Sequence, residues 1–503
     1  MNEPSAAFTA ASARRAARNM GAMAAAQILS KGALFIWQLI LIPLLGPQEY
    51  GVYGTVGALL LIGVAVTSFG MGNIIIRDVA RRRDLAGDYL SSALFLQTIL
   101  ALLTYLGVQL AAALLGYAPE VRSFLAIAGL SLFVDMFGTL CFEQLQAQEK
   151  MVTTAMSEII HVIVRIALAG LALVAGYGLL GVYVMTLIAS ALRAAILWGA
   201  LLRTGVRPRY PIQRSLSVGL LRDGAPGAAT ALVTTGYQNA DRLVTASLIG
   251  SQAVGYLSAA FVIVFGVVEM LSTTVLIVVY PLLARISRAG SDMARFRRVV
   301  ESLAHFTFVG TLPIVLAISV YSDALVSVLG IRYAQTADIL RVMIWYAFVA
   351  ITVNIYVLAL LVQNRQQVTF VIRSGGLLLN LGLLLLLLPR LGVIGAPIAS
   401  IIGETVVLVL LIPRFLQGAP TTRSLRKTLR VCVAALAGGC VMLLLRSIQP
   451  ALLGAFIGGA AGLVVYGASV HMLRGLNGDD WAMLRPLIEA LPGGGRLVRW
   501  LPR

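Results

Sequence analysis

The sequence predicts an all-α polytopic membrane protein of about fourteen transmembrane helices: two six-helix lobes related by a pseudo-two-fold axis along the membrane normal, then two appended C-terminal helices. Three observations predict this. Of the 503 residues, 59% are hydrophobic and only 12% charged, with a mean hydropathy of +0.91. A soluble domain carries about 45–50% apolar and about 25% charged residues, so the apolar excess here needs lipid to bury it. Apolar runs of the length that crosses a bilayer, about 20 residues, recur along the whole chain with short connections between them. Finally, the stretch Leu45-Gly46-Pro47-Gln48-Glu49-Tyr50-Gly51-Val52-Tyr53 returns as Leu248-Ile249-Gly250-Ser251-Gln252-Ala253-Val254-Gly255-Tyr256, and the same 204 residues separate Gly46 from Gly250 and Gly51 from Gly255.

Taken in order, spans are expected at 21–45, 52–72, 89–115, 122–143, 152–176, 179–202, 224–249, 256–280, 299–320, 340–362, 368–388, 394–416, 430–447 and 451–471. The first two enclose the Gly46–Gly51 motif, which reads as a hairpin at one membrane face: its proline and glycines end one helix and start the next within a few residues. Gly250 and Gly255 repeat that hairpin between spans 7 and 8. A second match, Gly178 to Val182 against Gly392 to Ala396, lies between spans 5 and 6 and between spans 11 and 12. The two matches together divide the chain into an N-terminal lobe (1–215), a C-terminal lobe (216–420), two appended spans (421–475) and a basic, amphipathic tail (476–503). Transporters built from such repeats bind substrate at the repeat interface. The connection at 321–339 has room for a short helix and no soluble domain. In the tail, Leu484, Ile488 and Leu491 at helical spacing, then Arg496, Arg499 and Trp500, suit a segment lying on the cytoplasmic leaflet.

A formal charge of +18 suggests nucleic acid until its distribution is examined. With the N-terminus inside, 29 of the 39 Lys and Arg fall in alternate connections and at the two ends of the chain, the largest groups being Arg77 to Arg83, Arg203 to Arg222, Arg285 to Arg298, Arg414 to Arg430 and Arg474 to Arg503. That bias sets orientation in a membrane, so both termini are expected on the cytoplasmic side of a bacterial inner membrane, with no nucleic acid as partner. The polar N-terminus with Arg14, Arg15 and Arg18 precedes a full-length span, which reads as a retained first helix. Cys141, Cys432 and Cys440 lie inside apolar runs without ligand spacing, so no disulfide, metal site or cofactor is expected.

Ionisable groups inside spans cost about 2.5–3.5 kcal/mol each on insertion scales, so they should face a bundle interior or water. Gln27, Lys31 and Gln38 share one face of span 1. In span 5, Thr154, Glu158, His161 and Arg165 recur at intervals of 4, 3 and 4, and in span 7, Thr234, Gln238, Asp241 and Thr245 do the same. Span 8 carries Glu269 with Ser272 and Thr273, span 11 carries Thr369, Arg373 and Asn380, and span 12 carries Ser400 and Glu404. These stripes make Lys31, Arg165, His161 and Arg373 the candidate substrate-binding residues, and Asp241, Glu269, Glu404 and Glu158 the candidate coupling carboxylates. The bland alternative is that they pair and hold helices together: Glu158 and His161 are close enough on one face to pair locally, and Arg373 is near enough to the cytoplasmic end to snorkel. Lys31 and Arg165 have no obvious carboxylate of their own at that depth. Arg193 and Arg242 also lie inside spans, and Asp241 and Arg242, as sequence neighbours, face different ways.

From Met20 to about Asp84, with Pro43, LGPQEYGVYG and SFGMGNIIIRDVARRRD, the chain resembles bacterial polysaccharide-unit flippases of the Wzx type. The second half resembles them in NADRLVTASLIGSQAVGYLSAA, YPLLARIS and LPRLGVIGAPIASIIGE. The resemblance implies the multidrug/oligosaccharidyl-lipid/polysaccharide exporter fold, with two six-helix lobes around a central cavity and alternating access. It implies a cargo of undecaprenyl-pyrophosphate-linked oligosaccharide turned from the cytoplasmic to the periplasmic leaflet for cell-surface polysaccharide biosynthesis. It also implies a transporter without catalytic residues or cofactor, whose partners are the lipid-linked oligosaccharide, the bilayer and polysaccharide polymerase or assembly proteins. Two other transporters of the same fold remain open: a cation-coupled multidrug exporter and a lipid II flippase, although span 1 offers one lysine where several arginines would be expected for lipid II. A membrane polymerase or ligase of lipid-linked sugars is the remaining alternative. It would need a catalytic surface outside the bilayer, and the chain offers no large periplasmic loop, metal cluster or nucleophile constellation for one.

Overall fold

The structure, a computed structural model, describes residues 10–288, 293–415 and 422–476. It forms two compact units, Met1–Gly255 and Tyr256–Arg503. The regular elements among the described residues are all helices, without strands. Eleven of their segments are long and apolar enough to cross a membrane. Two of these, Ala26–Arg81 and Gln366–Pro413, each hold two of the expected spans. The expected span 7 is absent from the eleven, because its polar stripe lowers its hydropathy below that of its neighbours.

In the first unit, α1 (Ala10–Ser68) is interrupted at Gly46, whose φ of 72° and ψ of 169° lie outside the helical region. A straight helix would hold residues twelve apart about 18 Å from each other. Instead the Tyr50 hydroxyl donates to Gln38 Oε1 at 2.9 Å, so the chain doubles back into a hairpin. Gly250 has a φ of 116°, and the second pair of repeat positions, Gly178 and Gly392, have φ of 56° and 62°. All four breaks use backbone conformations that glycine reaches without a side-chain penalty.

Past Phe69 and Gly70, both at positive φ, α2 (Met71–Arg81) is a short helix where only an arginine-rich connection was expected. Its hydrophobic residues recur every fourth position, so Met71, Ile75 and Val79 are buried while Arg77 and Arg81 stay exposed. α3 (Ala86–Leu114) follows, and then the expected fourth span appears as two helices, α4 (Pro119–Ala128) and α5 (Ser131–Ala147). The break comes at Gly129, where a Cβ would sit 2.8 Å from the Tyr105 ring. α6 (Met151–Val174), α7 (Gly178–Leu202) and α8 (Arg214–Leu248) complete the unit. Within it α8 packs on α1, α2 and α3. Its core near α2 is built from Ile75, Val79, Leu90, Leu140, Leu145 and Leu197.

The repeated motifs meet inside this unit. A Cβ on Gly51 would land on the Ser251 carbonyl, and one on Gly255 would land on the Pro47 carbonyl. The two glycines of the repeat therefore permit a reciprocal backbone contact between the α1 hairpin and the first turn of α9 (Ser251–Arg288).

From Tyr256 onward the second unit contains the rest of α9, then α10 (Met293–Val320), α11 (Ser322–Ser327), α12 (Thr336–Val362), α13 (Gln366–Leu391), α14 (Gly395–Phe415), α15 (Thr422–Leu444) and α16 (Ala451–Met472). The short α11 is the helix anticipated at 321–339, and the thirteenth span runs over Arg426–Ser447 against an expected 430–447. Val300, Val353, Leu360, Ile372, Val407 and Leu411 form the core of α10, α12, α13 and α14. The appended pair α15–α16 is pinned to α10 and its C-terminal flank. Tyr466 donates to the Val309 carbonyl and Tyr321 to the Met442 carbonyl, each at 2.7 Å. Asp323 accepts from both Arg341 (2.8 Å) and Arg446, which ties the flank of α10 to α12 and to the end of α15. The basic tail lies outside the described residues.

Candidate functional site

The α6 stripe occupies one helix face, and α6 packs against α1, α5 and α7. Glu158 takes its partner from α7: Arg193 approaches Glu158 Oε2 at 3.2 Å, with the arginine side chain 13% and the glutamate 32% exposed. The expected local pairing of Glu158 with His161 is therefore replaced by a pair between helices. The same guanidinium lies over the Phe142 ring of α5 at 5.7 Å, which gives it a second electron-rich face while it is shielded from water. Asp135, in the second turn of α5, interacts with Ser190 and Ser131 and lies in the electrostatic field of Arg193 and Arg165. His161 also lies close to both arginines. Its two ring nitrogens are buried without a hydrogen-bond partner among the described residues, as is Arg193 Nε.

Three helices thus assemble two arginines, two carboxylates and a histidine within the depth of the expected spans. Glu158, His161 and Arg165 were legible from their spacing. In the sequence Arg193 reads only as an ionisable residue inside a span, and Asp135 lies outside the polar stripes. The signal for Asp135 was available: it is the one ionisable residue in the interior of the expected fourth span.

The other candidates of the first unit stand as follows. Lys31 is exposed on α1. Gln38, on the same α1 face, accepts from Tyr50 and donates to the Tyr53 hydroxyl at 3.4 Å. Tyr50, Tyr53, Tyr183 and Phe124 continue from it as a column of rings with centroid spacings of 5.9, 6.0 and 5.6 Å. Asp241 is buried on α8, and its neighbour Arg242 is half-buried and interacts with Tyr50.

In the second unit the stripes of spans 11 and 12 face each other. Arg373 approaches Glu404 Oε1 at 3.8 Å, with Glu404 almost fully buried, and Asn380 donates to Ser400 at 3.2 Å. Glu269 is half-buried on α9, and one turn further along, Ser272 accepts from Asn354 at 3.1 Å. The Thr273 side chain lies outside the described residues. Among the described residues no group of three or more His, Cys, Asp or Glu could hold a metal ion.

A family model described as polysaccharide biosynthesis protein matches residues 40–338. No curated protein matches in sequence. Among solved structures, the chain is similar to the lipid II flippase MurJ in an inward closed conformation, with a TM-score of 0.73 and 15% identity over 90% of this chain and 98% of that one. It is also similar to an inward-facing multidrug resistance MATE family transporter of the MOP superfamily, with a TM-score of 0.61 and 13% identity over 77% and 94%. A eukaryotic MATE transporter, AtDTX14, follows with a TM-score of 0.52 and 17% identity over 82% and 98%. At these identities the likeness concerns the fold.

Proposed function

Because this chain belongs to the polysaccharide biosynthesis protein family, with the fold of MOP-superfamily transporters, we propose that it is the flippase for an undecaprenyl-pyrophosphate-linked oligosaccharide. It carries that cargo from the cytoplasmic to the periplasmic leaflet by alternating access of two lobes, residues 1–215 and 216–420, with both termini cytoplasmic. The observation that carries this reading is the cluster of Arg165, Arg193, His161, Glu158 and Asp135 on α5, α6 and α7.

A pyrophosphate diester bears two negative charges, and moving them through hydrocarbon unpaired would cost far more than the glycan chemistry could return. Arg165 and Arg193 offer forked N–H donors suited to phosphate, and Lys31 adds a movable point charge from α1. Glu158 is then the internal stand-in for the cargo: it neutralises Arg193 between transport cycles and yields to the pyrophosphate. Arg373 supplies a further cation in the second unit, held meanwhile by Glu404. Asp241, Glu269 and Glu404, carboxylates placed inside the expected spans, are the ones proposed to couple transport to protons.

A second reading, a cation-coupled multidrug exporter, is favoured by the buried carboxylates Asp241 and Glu404. Deleting the gene separates the two. The flippase reading predicts that lipid-linked oligosaccharide accumulates on the cytoplasmic leaflet and that surface polysaccharide is lost. Unchanged polysaccharide together with heightened sensitivity to cationic drugs would overturn it in favour of the exporter.

A further inference from the structure

We propose that His161 takes up one proton from solution when the pyrophosphate binds, so that cargo affinity falls as pH rises. The inference rests on the flippase reading and concerns the regulation of the same site. His161 shares its α6 face with Glu158 and Arg165, faces Arg193 and lies in the fields of both arginines. Across it, α5 contributes Asp135 and α7 contributes Arg193 and Ser190; α1, which also packs on α6, carries Lys31. Glu143 on α5 lies against Gly72 of α2 and does not belong to this group.

Without cargo, an imidazolium at this position would put a third positive charge beside two guanidinium groups. The carboxylates are committed elsewhere, Glu158 to Arg193 and Asp135 to Ser190 and Ser131, and both imidazole nitrogens stay buried with no protein acceptor. A bound pyrophosphate reverses each of these conditions. Its two charges remove the repulsion between the cations, displace Glu158 from Arg193 and bring acceptor oxygens to a ring that, once protonated, has two N–H donors to offer. The proton comes from the aqueous phase, and no bond in the cargo is made or broken.

The test uses the full chain in lipid nanodiscs and a farnesyl-diphosphate-linked N-acetylglucosamine, a diester whose two phosphate charges do not change between pH 5.5 and 8.5. One linked proton makes the Kd rise by up to about ten-fold per pH unit on the alkaline side. The wild type should weaken by at least about ten-fold between pH 5.5 and 8.5 and take up protons on binding in weak buffer, a readout that needs no variant. His161→Gln and His161→Asn should bind with a pH-independent Kd near the wild-type alkaline value. A flat wild-type profile with measurable binding, or a slope retained in both variants, would overturn the assignment to His161 while leaving the flippase reading intact. Failure of the wild type to bind the diester at any pH would overturn the flippase reading, and this inference with it.

Discussion

Within the α5–α7 cluster, Glu158 is the counter-ion of Arg193, so substitutions at Arg165 and Arg193 should behave differently. Removing one partner of a fully buried ion pair costs about 3–5 kcal/mol, and the partial exposure of Glu158 places this pair below that range. Arg193→Ala should therefore lower the thermal midpoint of the purified protein, and the Arg193→Ala, Glu158→Ala double variant should recover most of that loss. No recovery would mean that Arg193 does not depend on Glu158. Both arginines are proposed to meet the cargo, and for Arg165 that role, not pairing with Glu158, decides the outcome. Arg165→Ala should abolish transport at matched membrane expression, Arg165→Lys should keep part of it, and Lys31→Arg should be tolerated better than Lys31→Ala. Recovery of transport in Arg165→Ala, Glu158→Ala would reduce Arg165 to a structural counter-ion. At this scale the sequence was legible only along single helices. The 4, 3, 4 spacing displays Glu158, His161 and Arg165 on one face, whereas the Glu158–Arg193 pair and the place of Asp135 depend on how α5 and α7 are rotated against α6, which periodicity within one helix does not encode.

The hairpin motif and its repeat organise the elements. Gly51 and Gly255 meet backbone carbonyls, which cannot move aside as a side-chain end can, so Gly51→Ala and Gly255→Ala should each reduce the folded fraction in the membrane markedly. Gly72→Ala meets only the carboxylate end of Glu143 and should be milder. Gly57 has no atom near its missing Cβ, and Gly57→Ala inside α1 should be neutral or stabilise by up to about 1 kcal/mol. Detergent-solubilised thermal unfolding measures all four, and equal losses at Gly51 and Gly57 would contradict the reciprocal contact. The motif's recurrence marked where the helices break, and the positive φ of Gly46 and Gly250 is the physical content of that recurrence. Its second role, bringing the two copies into contact, was not legible, because a sequence repeat fixes equivalence and not proximity. Nor was α2: its apolar residues number too few to stand out beside full-length spans, and the four arginines around its end read as a connection.

For the whole molecule, composition and run length were enough to foresee a helical membrane protein with spans close to those observed, since burying that much apolar surface in lipid leaves helices as the economical answer. Orientation is a separate proposal resting on the arginine bias. In a background lacking the native cysteines, Gln48→Cys and Ile331→Cys, both at exposed positions, should react with an impermeant thiol reagent added to intact cells, and Asp84→Cys and Arg207→Cys should not. Labelling of the second pair would invert the topology. The central claim, that this fold turns a pyrophosphate-linked glycan across the membrane, is tested most directly in vesicles. The purified protein is reconstituted with a fluorescent undecaprenyl-pyrophosphate-linked oligosaccharide in both leaflets, and the fraction open to an impermeant quencher is followed. The account predicts that the wild type brings the inner-leaflet pool within reach of the quencher and that Arg165→Ala stays at the level of protein-free vesicles; an inner pool that remains protected with the wild type, or is exposed equally well by Arg165→Ala, would contradict it.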